Sequence, residues 1–375
     1  MNYLFVLMMF IIAMLMGWFI LPQILLIAYR KRLFDIVDNR KVHVGIIPRL
    51  GGISFAPTQC CLIVLSIFFM RKLGLYYFDA LKMISLFLLL ICGMVLLFLV
   101  GIKDDLIGVN YRWKFVMQLV AASLFPLSNL WINNLYGIMG INALSPWIGM
   151  PMTVFLIVFI INAINLIDGI DGLCSGLAII GCFVLGTLFI SGGAWLHAVF
   201  AFITAGVLLP FFYYNVFGIS KSRHRIFMGD AGSLTLGLSL SFLVISSSMY
   251  NPAIMPPSHG AIVIAFATLI VPMFDVLRVV LVRLHLHRPI FKPDCSHIHH
   301  KLLKMGFSHR NAMVLILSMV LVFNILNIIT VRYFSNSLVL CMDIIIWSAF
   351  HLWLFVIKNL QSKQKISKQL KEKSI

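Results

Sequence analysis

Length, composition and charge indicate a membrane protein with many spanning helices. The chain has 375 residues, 61% of them hydrophobic and 11% charged, and a mean hydropathy of +1.03. Its apolar runs are about 20 residues long, which is what a helix needs to cross ~30 Å of hydrocarbon. Open sheets are excluded because lipid offers their edges no partners, and the runs lack the alternation of barrel strands. The predicted fold class is an all-α polytopic integral membrane protein.

The net charge of +17 does not indicate a nucleic-acid-binding protein, because the basic residues are spread over short loops and a tail. Such residues are typical of topology signals and of contacts with anionic lipid. The seven cysteines lie mostly inside apolar runs and lack metal-ligand spacing. We therefore expect neither a disulfide framework nor a zinc site.

Eleven membrane spans are predicted in chain order, followed by a basic tail. They lie at 3–28, 51–70, 82–101, 114–133, 147–167, 173–191, 195–217, 233–250, 260–283, 311–331 and 337–357. Because the first run ends in Arg30, Lys31 and Arg32 and lacks a cleavage pattern, we expect a retained span rather than a signal peptide. The prediction is one transmembrane domain over 1–358 and a basic cytoplasmic tail over 359–375.

Alternating these spans places almost all of the 29 Lys and Arg residues on one side of the membrane. The exceptions are Arg71, Lys72, Lys82 and Arg332. Because positively charged loops stay in the cytoplasm, the N-terminus is predicted outside and the C-terminus inside. The acids sort in the same way, and only Asp79 and Asp343 fall away from the basic side. We therefore predict a functional site at the cytoplasmic membrane surface.

The first polar motif is "GIKDDLIG", residues 101–108, at the end of an apolar run. Asp104 and Asp105 are adjacent carboxylates that repel each other, so such a pair usually has a counter-charge such as Lys103 or a bound cation. The alternative is a solvated turn with a helix cap.

The second motif is "NAINLIDGIDGL", residues 162–173, which places four polar side chains along one edge of a helix. They are Asn162, Asn165, Asp168 and Asp171. Asparagines alone are explained by hydrogen bonds between helices, but an acid at membrane depth is costly and usually functional. Carboxylate and amide oxygens are ligands that Mg²⁺ accepts beside substrate phosphates.

The third motif is "RHRIFMGDAGSL", residues 223–234, in which Asp230 is flanked by glycines just before a span. Gly229 and Gly232 permit a tight turn, and Gly-Ser at a helix N-terminus can present N–H groups to an anion. The alternative is an ordinary capped helix start.

The fourth motif, residues 287–310, combines three histidines with several basic residues. These are His297, His299 and His300 with Arg288, Lys292, Lys301 and Lys304. A histidine cluster can hold a transition metal, but the neighbours here are basic rather than Cys or carboxylate. A phosphate-binding loop is therefore the favoured function, with an ordinary basic loop as the alternative.

Acids that suit Mg²⁺, with a basic rim on the same face, are typical of phosphoryl transfer. Two other classes of protein remain as alternatives. A cation-coupled secondary transporter would place acids near the bilayer midplane, often with discontinuous helices and a repeat. A lipid-linked sugar flippase or scaffold would tolerate loss of the acids that bind metal.

Together the motifs resemble those of the polyprenyl-phosphate N-acetylhexosamine-1-phosphate transferases, from residue 42 to the spans after the histidines. The shared marks are Pro48 with Gly51 and Gly52, Asp104 with Asp105, Lys114 followed by Gln118, the 162–173 stretch, "FMGDAGS", Asp275 in "PMFD", and "HIHH". The HIHH form is similar to the branch that takes UDP-N-acetylglucosamine and undecaprenyl phosphate in enterobacterial common antigen and O-antigen initiation. The related peptidoglycan enzyme usually has three successive histidines followed by Phe-Glu, and the departure from that pattern argues against a muramyl-pentapeptide donor.

The resemblance implies roles for the matching residues and for their ligands. Asp230 and Asn165 would hold Mg²⁺, with Mn²⁺ as an alternative. Asp104 and Asp105 would lie beside the acceptor phosphate and the metal, and Lys114 would bind phosphate. The uridine would be bound by Asp171, Asn215 and Phe227. The sugar-phosphate would be bound by His297, His299 and His300, and Asp168 would support the site. A phosphate monoester has a second pKa of about 6, so the acceptor is largely ionised and needs no essential general base.

The resemblance also implies the cellular setting. We expect a multi-pass protein of the bacterial inner membrane that uses a UDP-sugar donor and a polyprenyl-phosphate acceptor in cell-wall or lipopolysaccharide biogenesis. Related donors such as UDP-N-acetylgalactosamine, and a homodimer, are left open.

Overall fold

Thirteen α-helices and one β-hairpin make up the described part of the chain. The computed structural model describes residues 1–31, 33, 48–75, 80–218, 225–252, 254–289 and 296–373, with the backbone alone at 80–82, 358 and 361–373. The helices are α1 Asn2–Lys31, α2 Phe55–Lys72, α3 Ala80–Ile107, α4 Tyr111–Leu127, α5 Pro146–Ile167, α6 Leu173–Ser191, α7 Trp195–Phe217, α8 Gly229–Ser248, α9 Ala261–Ala267, α10 Ile270–His285, α11 Ile298–Lys304, α12 His309–Thr330 and α13 Asn336–Lys373.

Nine helices of the described ranges are long and apolar enough to cross a membrane. They are α1, α2 with a preceding 3₁₀ turn at Gly51–Ser54, α3, α5, α6, α7, α8, α12 and α13. A tenth span is obtained if α9 and α10, which meet at an angle of 77°, are counted as one. The prediction of an all-helical polytopic membrane protein is confirmed.

Helix α8 forms the centre of the bundle, and every residue from Ala231 to Ser248 is buried. It packs against α3, α5 and α6. Small residues permit the close packing: a Cβ added at Gly237 would lie 2.7 Å from the Cα of Ile161 on α5. Several hydroxyl groups inside α8 donate to its own carbonyls, as where Ser241 Oγ donates to Gly237 O at 2.7 Å. The N-terminus of α8 is thereby fixed between the ends of α3 and α5.

The predicted span at 114–133 differs from the structure at its C-terminal end. Helix α4 ends at Leu127, and Asn129 adopts a left-handed conformation with φ of 59°. Strand β1 (Asn134–Ile138) then pairs with antiparallel β2 (Ile141–Ala143). The sequence did not predict this hairpin, which lies in the connection between α4 and α5.

Side chains of α13 satisfy part of the hairpin's backbone. Asn336 Nδ2 donates to Tyr136 O at 2.8 Å, and Ser337 Oγ donates to Gly137 O at 3.1 Å. Ser337 Oγ also accepts the N–H of Met139 at 2.9 Å. These contacts tie the α4–α5 connection to the start of α13, at the end of the bundle opposite the pocket described below.

Candidate active site

The N-terminus of α8 is capped by a carboxylate from another helix. Asp105, near the end of α3, accepts hydrogen bonds from the backbone N–H groups of Asp230 at 2.8 Å and Ala231 at 3.0 Å. These amides belong to the first turn of α8 and have no partners within the helix, so an anion is favourable there. Gly229 has φ of +73°, and a Cβ there would lie 2.1 Å from Arg49 O. The glycine before Asp230 is therefore needed both for its conformation and for its small size.

Asp230 is the point at which three helices meet. Its Oδ1 atom accepts a short hydrogen bond from Asn165 Nδ2 of α5, and that amide also donates to Ser233 Oγ at 2.8 Å. Its Oδ2 atom lies 3.0 Å from Lys114 Nζ of α4. The same ammonium lies 2.7 Å from Asp104 Oδ2. Lys114 thus bridges two carboxylates that would otherwise repel each other.

Asp104 is held in place at the end of α3. Its Oδ1 atom accepts the backbone N–H of Val109 at 2.6 Å, while its Oδ2 atom binds Lys114. Both oxygens are therefore occupied within the protein. This arrangement suits an orienting residue better than a group that takes up a proton during the reaction.

A second cluster lies around Asp171, between α5 and α6. Asn215 of α7 accepts the N–H of Gly172 at 2.6 Å and donates to Ile226 O at 2.8 Å and to Asp171 Oδ1 at 3.4 Å. The Arg225 guanidinium forms an ion pair with Asp171. The same guanidinium carbon lies 5.9 Å from the centroid of the Phe227 ring. Asp171, Asn215, Arg225 and Phe227 therefore form one cluster of an acid, an amide, a cation and an aromatic ring.

Asp168 lies between these two clusters, immediately after α5. Removal from bulk water raises the pKa of this carboxyl to about 7, and the negative charges of Asp171, Asp230 and Asp105 add to the shift. Four carboxylates, Asp105, Asp168, Asp171 and Asp230, line the same pocket, and a bound divalent cation would offset their mutual repulsion.

The histidine segment contributes to the pocket mainly through His300. His297 and His299 are buried, and their rings are nearly parallel with centroids 6.0 Å apart. The His299 and His300 centroids are 4.2 Å apart. Burial lowers the pKa of His299 to about 3, and the neighbouring histidines add to the shift. Of the three predicted sugar-phosphate ligands, only His300 lines the pocket.

A single pocket collects most of the residues that the sequence predicts. Its volume is about 310 Å³, within the range of small-molecule sites. The predicted residues in its lining are Asp105, Asn165, Asp168, Asp171, Asn215, Phe227, Asp230 and His300. Asp104, Lys114, His297 and His299 do not line the pocket. Lys114 contacts both Asp230 and Asp104, and His299 contacts His300.

The pocket also contains residues to which the sequence assigned no site role. They are Arg49, Gly169, Ile170, Met228, Gly229, Ser233, Leu303 and His309. Arg49 was interpreted only as a topology charge, but it lies beside a recognised glycine pair. That segment pairs with the third motif, since Gly51 N donates to Phe227 O at 2.9 Å and Phe227 N donates to Pro48 O at 2.9 Å. Lys292, Arg223 and residues 42–47, which belong to the predicted motifs, lie outside the described residues.

The donor set of the pocket fits a magnesium ion that is shared with a substrate. Within the described ranges, no three His, Cys, Asp or Glu side chains converge as a ready-made metal site. Mg²⁺ usually binds through one or two carboxylates and completes its shell with water and substrate phosphates. Asp230 with Asn165 satisfies that requirement, and both face the pocket.

Comparison with known proteins agrees with this geometry. The family model described as "Glycosyl transferase family 4" matches residues 87–248. The probable undecaprenyl-phosphate N-acetylglucosaminyl 1-phosphate transferase of Bacillus subtilis is 32% identical over 321 residues, covering 84% of this chain and 82% of that protein. The undecaprenyl-phosphate alpha-N-acetylglucosaminyl 1-phosphate transferases of Salmonella typhi and Escherichia coli K12 are 31% and 29% identical, each covering 77% of this chain and 74% of the relative.

The fold, the pocket and these similarities define the class of protein: a polytopic membrane protein with a phosphoryl-transfer type of site. The chain belongs to the family of polyprenyl-phosphate N-acetylhexosamine-1-phosphate transferases, glycosyl transferase family 4. The resemblance found in the sequence motifs is confirmed.

Proposed function

We propose that this protein transfers N-acetylglucosamine 1-phosphate from UDP-N-acetylglucosamine to undecaprenyl phosphate, releasing UMP and starting a lipid-linked cell-envelope glycan. The observation that carries the proposal is the junction at Asp230, where Asn165, Lys114 and the Asp105-capped helix meet at one edge of the pocket. The printed names of the relatives describe the same transfer.

The reaction forms one phosphorus–oxygen bond and breaks another. An oxygen of the lipid phosphate attacks the sugar-bound phosphorus of the donor, and UMP departs with the bridging oxygen. Because the lipid phosphate is largely ionised near neutrality, no side chain has to remove a proton from it. The engagement of Asp104 with Lys114 and of Asp105 with the amides of α8 supports orienting roles for both acids.

Two anionic substrates require positive charge at the point where they meet. Asp230 and Asn165 would hold Mg²⁺ or Mn²⁺, which would neutralise the donor pyrophosphate. Lys114 would contribute a fixed cation beside the same carboxylate. In this proposal Asp168 supports the site as a further carboxylate of the pocket, which a bound cation would favour in its ionised form.

The cluster around Asp171 is proposed to bind the uridine. Phe227 offers a ring for stacking, while Asp171 and Asn215 can hydrogen-bond to the base or ribose. Arg225 pairs with Asp171 and so places a cation beside this cluster. His300, with Arg49 and His309, would contact the sugar-phosphate part of the donor.

The proposed topology has eleven spans, including α4 and the bent α9–α10 pair, with the N-terminus outside and the C-terminus in the cytoplasm. It is supported by the Lys and Arg asymmetry of the loops and by the position of the pocket at one end of the bundle. In this orientation the pocket opens at the cytoplasmic face of a bacterial inner membrane. A soluble donor and a bilayer-anchored acceptor can meet there.

The test is a release assay with purified protein in detergent. The protein is incubated with undecaprenyl phosphate and a panel of UDP-sugars, with and without EDTA, and UMP is measured. We expect metal-dependent UMP with UDP-N-acetylglucosamine. UMP with another UDP-N-acetylhexosamine would reassign the donor, and no metal-dependent UMP with any sugar would overturn the transferase function.

A further inference from the structure

Asp275 is a buried acid outside the pocket that binds the start of the histidine helix. It lies on α10 and is 1% exposed. Its Oδ2 atom lies 2.8 Å from His297 Nδ1, and its two oxygens lie 3.1 and 3.2 Å from the backbone N of Ile298. It therefore caps the N-terminus of α11 and fixes the preceding ring with the same carboxylate.

Arg278, one turn further along α10, reinforces this connection. Its guanidinium donates to Asp275 Oδ1 at 2.7 Å and to the carbonyl of Ser296 at 2.7 Å. Three successive residues, 296 to 298, are thus held from one face of α10. A charge-assisted network of this kind is stronger than neutral hydrogen bonds and restricts the orientation of what it binds.

The effect of this connection extends to the pocket through the histidine rings. The His297 ring lies parallel to that of His299, which packs against the loop after α5, where a Cβ at Gly169 would be 2.1 Å from Nε2. The next residue, His300, lines the pocket. Helix α11 has only seven residues, so it contributes little rigidity of its own and depends on its attachment.

We propose that Asp275 is a positioning residue for donor binding: by fixing His297 and the N-terminus of α11, it places His300 against the donor's sugar-phosphate. This inference rests on the proposed function. Because His300 would contact the donor in the ground state and in the transition state alike, loss of Asp275 raises the KM for the donor more than it lowers kcat. The KM for the lipid acceptor is unchanged, because the acceptor is proposed to bind near Asp104 and Asp105.

The experiment compares three variants in the UMP assay. Asp275→Ala removes every acceptor, and we expect donor KM to rise about 10- to 100-fold, the affinity that one hydrogen bond to a charged group contributes. Asp275→Asn keeps an acceptor for Ile298 N–H, and His297 can change tautomer to match it, so an intermediate rise is expected. Asp343→Asn is the matched control: this buried acid of α13 bonds to Asn327 and does not line the pocket, so donor KM stays within about 2-fold.

A double-variant comparison separates positioning from general destabilisation. If Asp275 acts through His300, adding Asp275→Ala to His300→Ala raises donor KM by less than about 2-fold, because the group being positioned is already gone. Full additivity of the two effects, or an unchanged donor KM in Asp275→Ala, would overturn the inference. If Asp275→Ala does not fold, Asp275→Asn carries the same comparison. An inactive wild-type protein would instead count against the proposed function.

Discussion

The carboxylate of Asp105 on α3 accepts the backbone N–H of Asp230, so the helix that carries one acid is capped by another acid from a different helix. This relationship explains why two acidic motifs that are distant in sequence depend on each other. Asp105 fixes the first turn of α8, and that turn presents the Asp230 side chain to Asn165 and Lys114.

Removal of the Asp105 cap is therefore expected to affect both stability and activity. Asp105→Ala leaves the amides of Asp230 and Ala231 without an acceptor, and loss of such a cap costs about 1–2 kcal/mol. We expect a lower thermal unfolding midpoint in detergent and at least about 100-fold less UMP formation. Asp105→Asn retains one acceptor oxygen and should unfold closer to wild type. Equal midpoints for Asp105→Ala and wild type would contradict the capping role.

Lys114 is predicted to have opposite effects on metal affinity and on turnover. It neutralises Asp104 and Asp230, so Lys114→Met makes the pocket more negative and strengthens Mg²⁺ binding, while loss of a cation near the phosphates lowers kcat by about 100-fold. The measurement is UMP formation over a Mg²⁺ titration. Lys103→Met, at an exposed neighbouring lysine of α3, is the control and should change neither quantity. Weaker apparent Mg²⁺ affinity in Lys114→Met would argue against this account.

Gly169 is predicted to tolerate no side chain. A Cβ there would lie 2.1 Å from His299 Nε2, so Gly169→Ala must displace the histidine helix or the loop, at a cost of about 1–3 kcal/mol. We expect the KM for the donor to rise, because displacing the histidine helix also moves His300. Gly181→Ala is the control, because its Cβ would meet nothing closer than 3.5 Å and alanine favours the helix. A stable Gly169→Ala with wild-type donor KM would show that this contact does not matter.

His299 makes the folded state sensitive to acid. Burial lowers its pKa to about 3 from 6.5, so the folded protein favours the neutral ring. This contribution to stability is complete above pH 6.5 and is lost as the pH falls from 6.5 towards 3, by about 1.4 kcal/mol per unit. We expect His299→Gln to reduce the fall in unfolding midpoint between pH 7.5 and 5.5. The same fall in both proteins would exclude His299 as its source.

The residues of the pocket could be predicted where polar groups interrupt apolar sequence. Asp105, Asn165, Asp171 and Asp230 stand out because acids and amides at membrane depth are costly, and all four line one pocket. Arg49 was not recognised because a basic residue in a short loop has an ordinary explanation as a topology signal. A site role for Arg49 is indicated only by the structure, in which residues 48–52 form backbone hydrogen bonds with the third motif.

Other features depend on contacts that no local pattern contains. Hydropathy does not register the bend between α9 and α10. The predicted span ran on to residue 133 because the segment between α4 and the hairpin contains the apolar residues Leu130, Trp131 and Ile132. Of the three histidines, only His300 lines the pocket, while His297 is buried and contacts Asp275, which lies 22 residues earlier. Spacing alone could not distinguish them.

Isotope-labelled donor gives the most direct test of the central claim, that a sugar phosphate moves to a lipid phosphate. UDP-N-acetylglucosamine labelled separately at its two phosphorus atoms is incubated with the protein, undecaprenyl phosphate and Mg²⁺, and the organic and aqueous phases are counted. The proposal predicts that the sugar-bound phosphorus enters the lipid phase and the uridine-bound phosphorus remains in the aqueous phase as UMP, both only with metal present. Transfer of the uridine-bound phosphorus to the lipid phase, or no transfer of label at all, would contradict it.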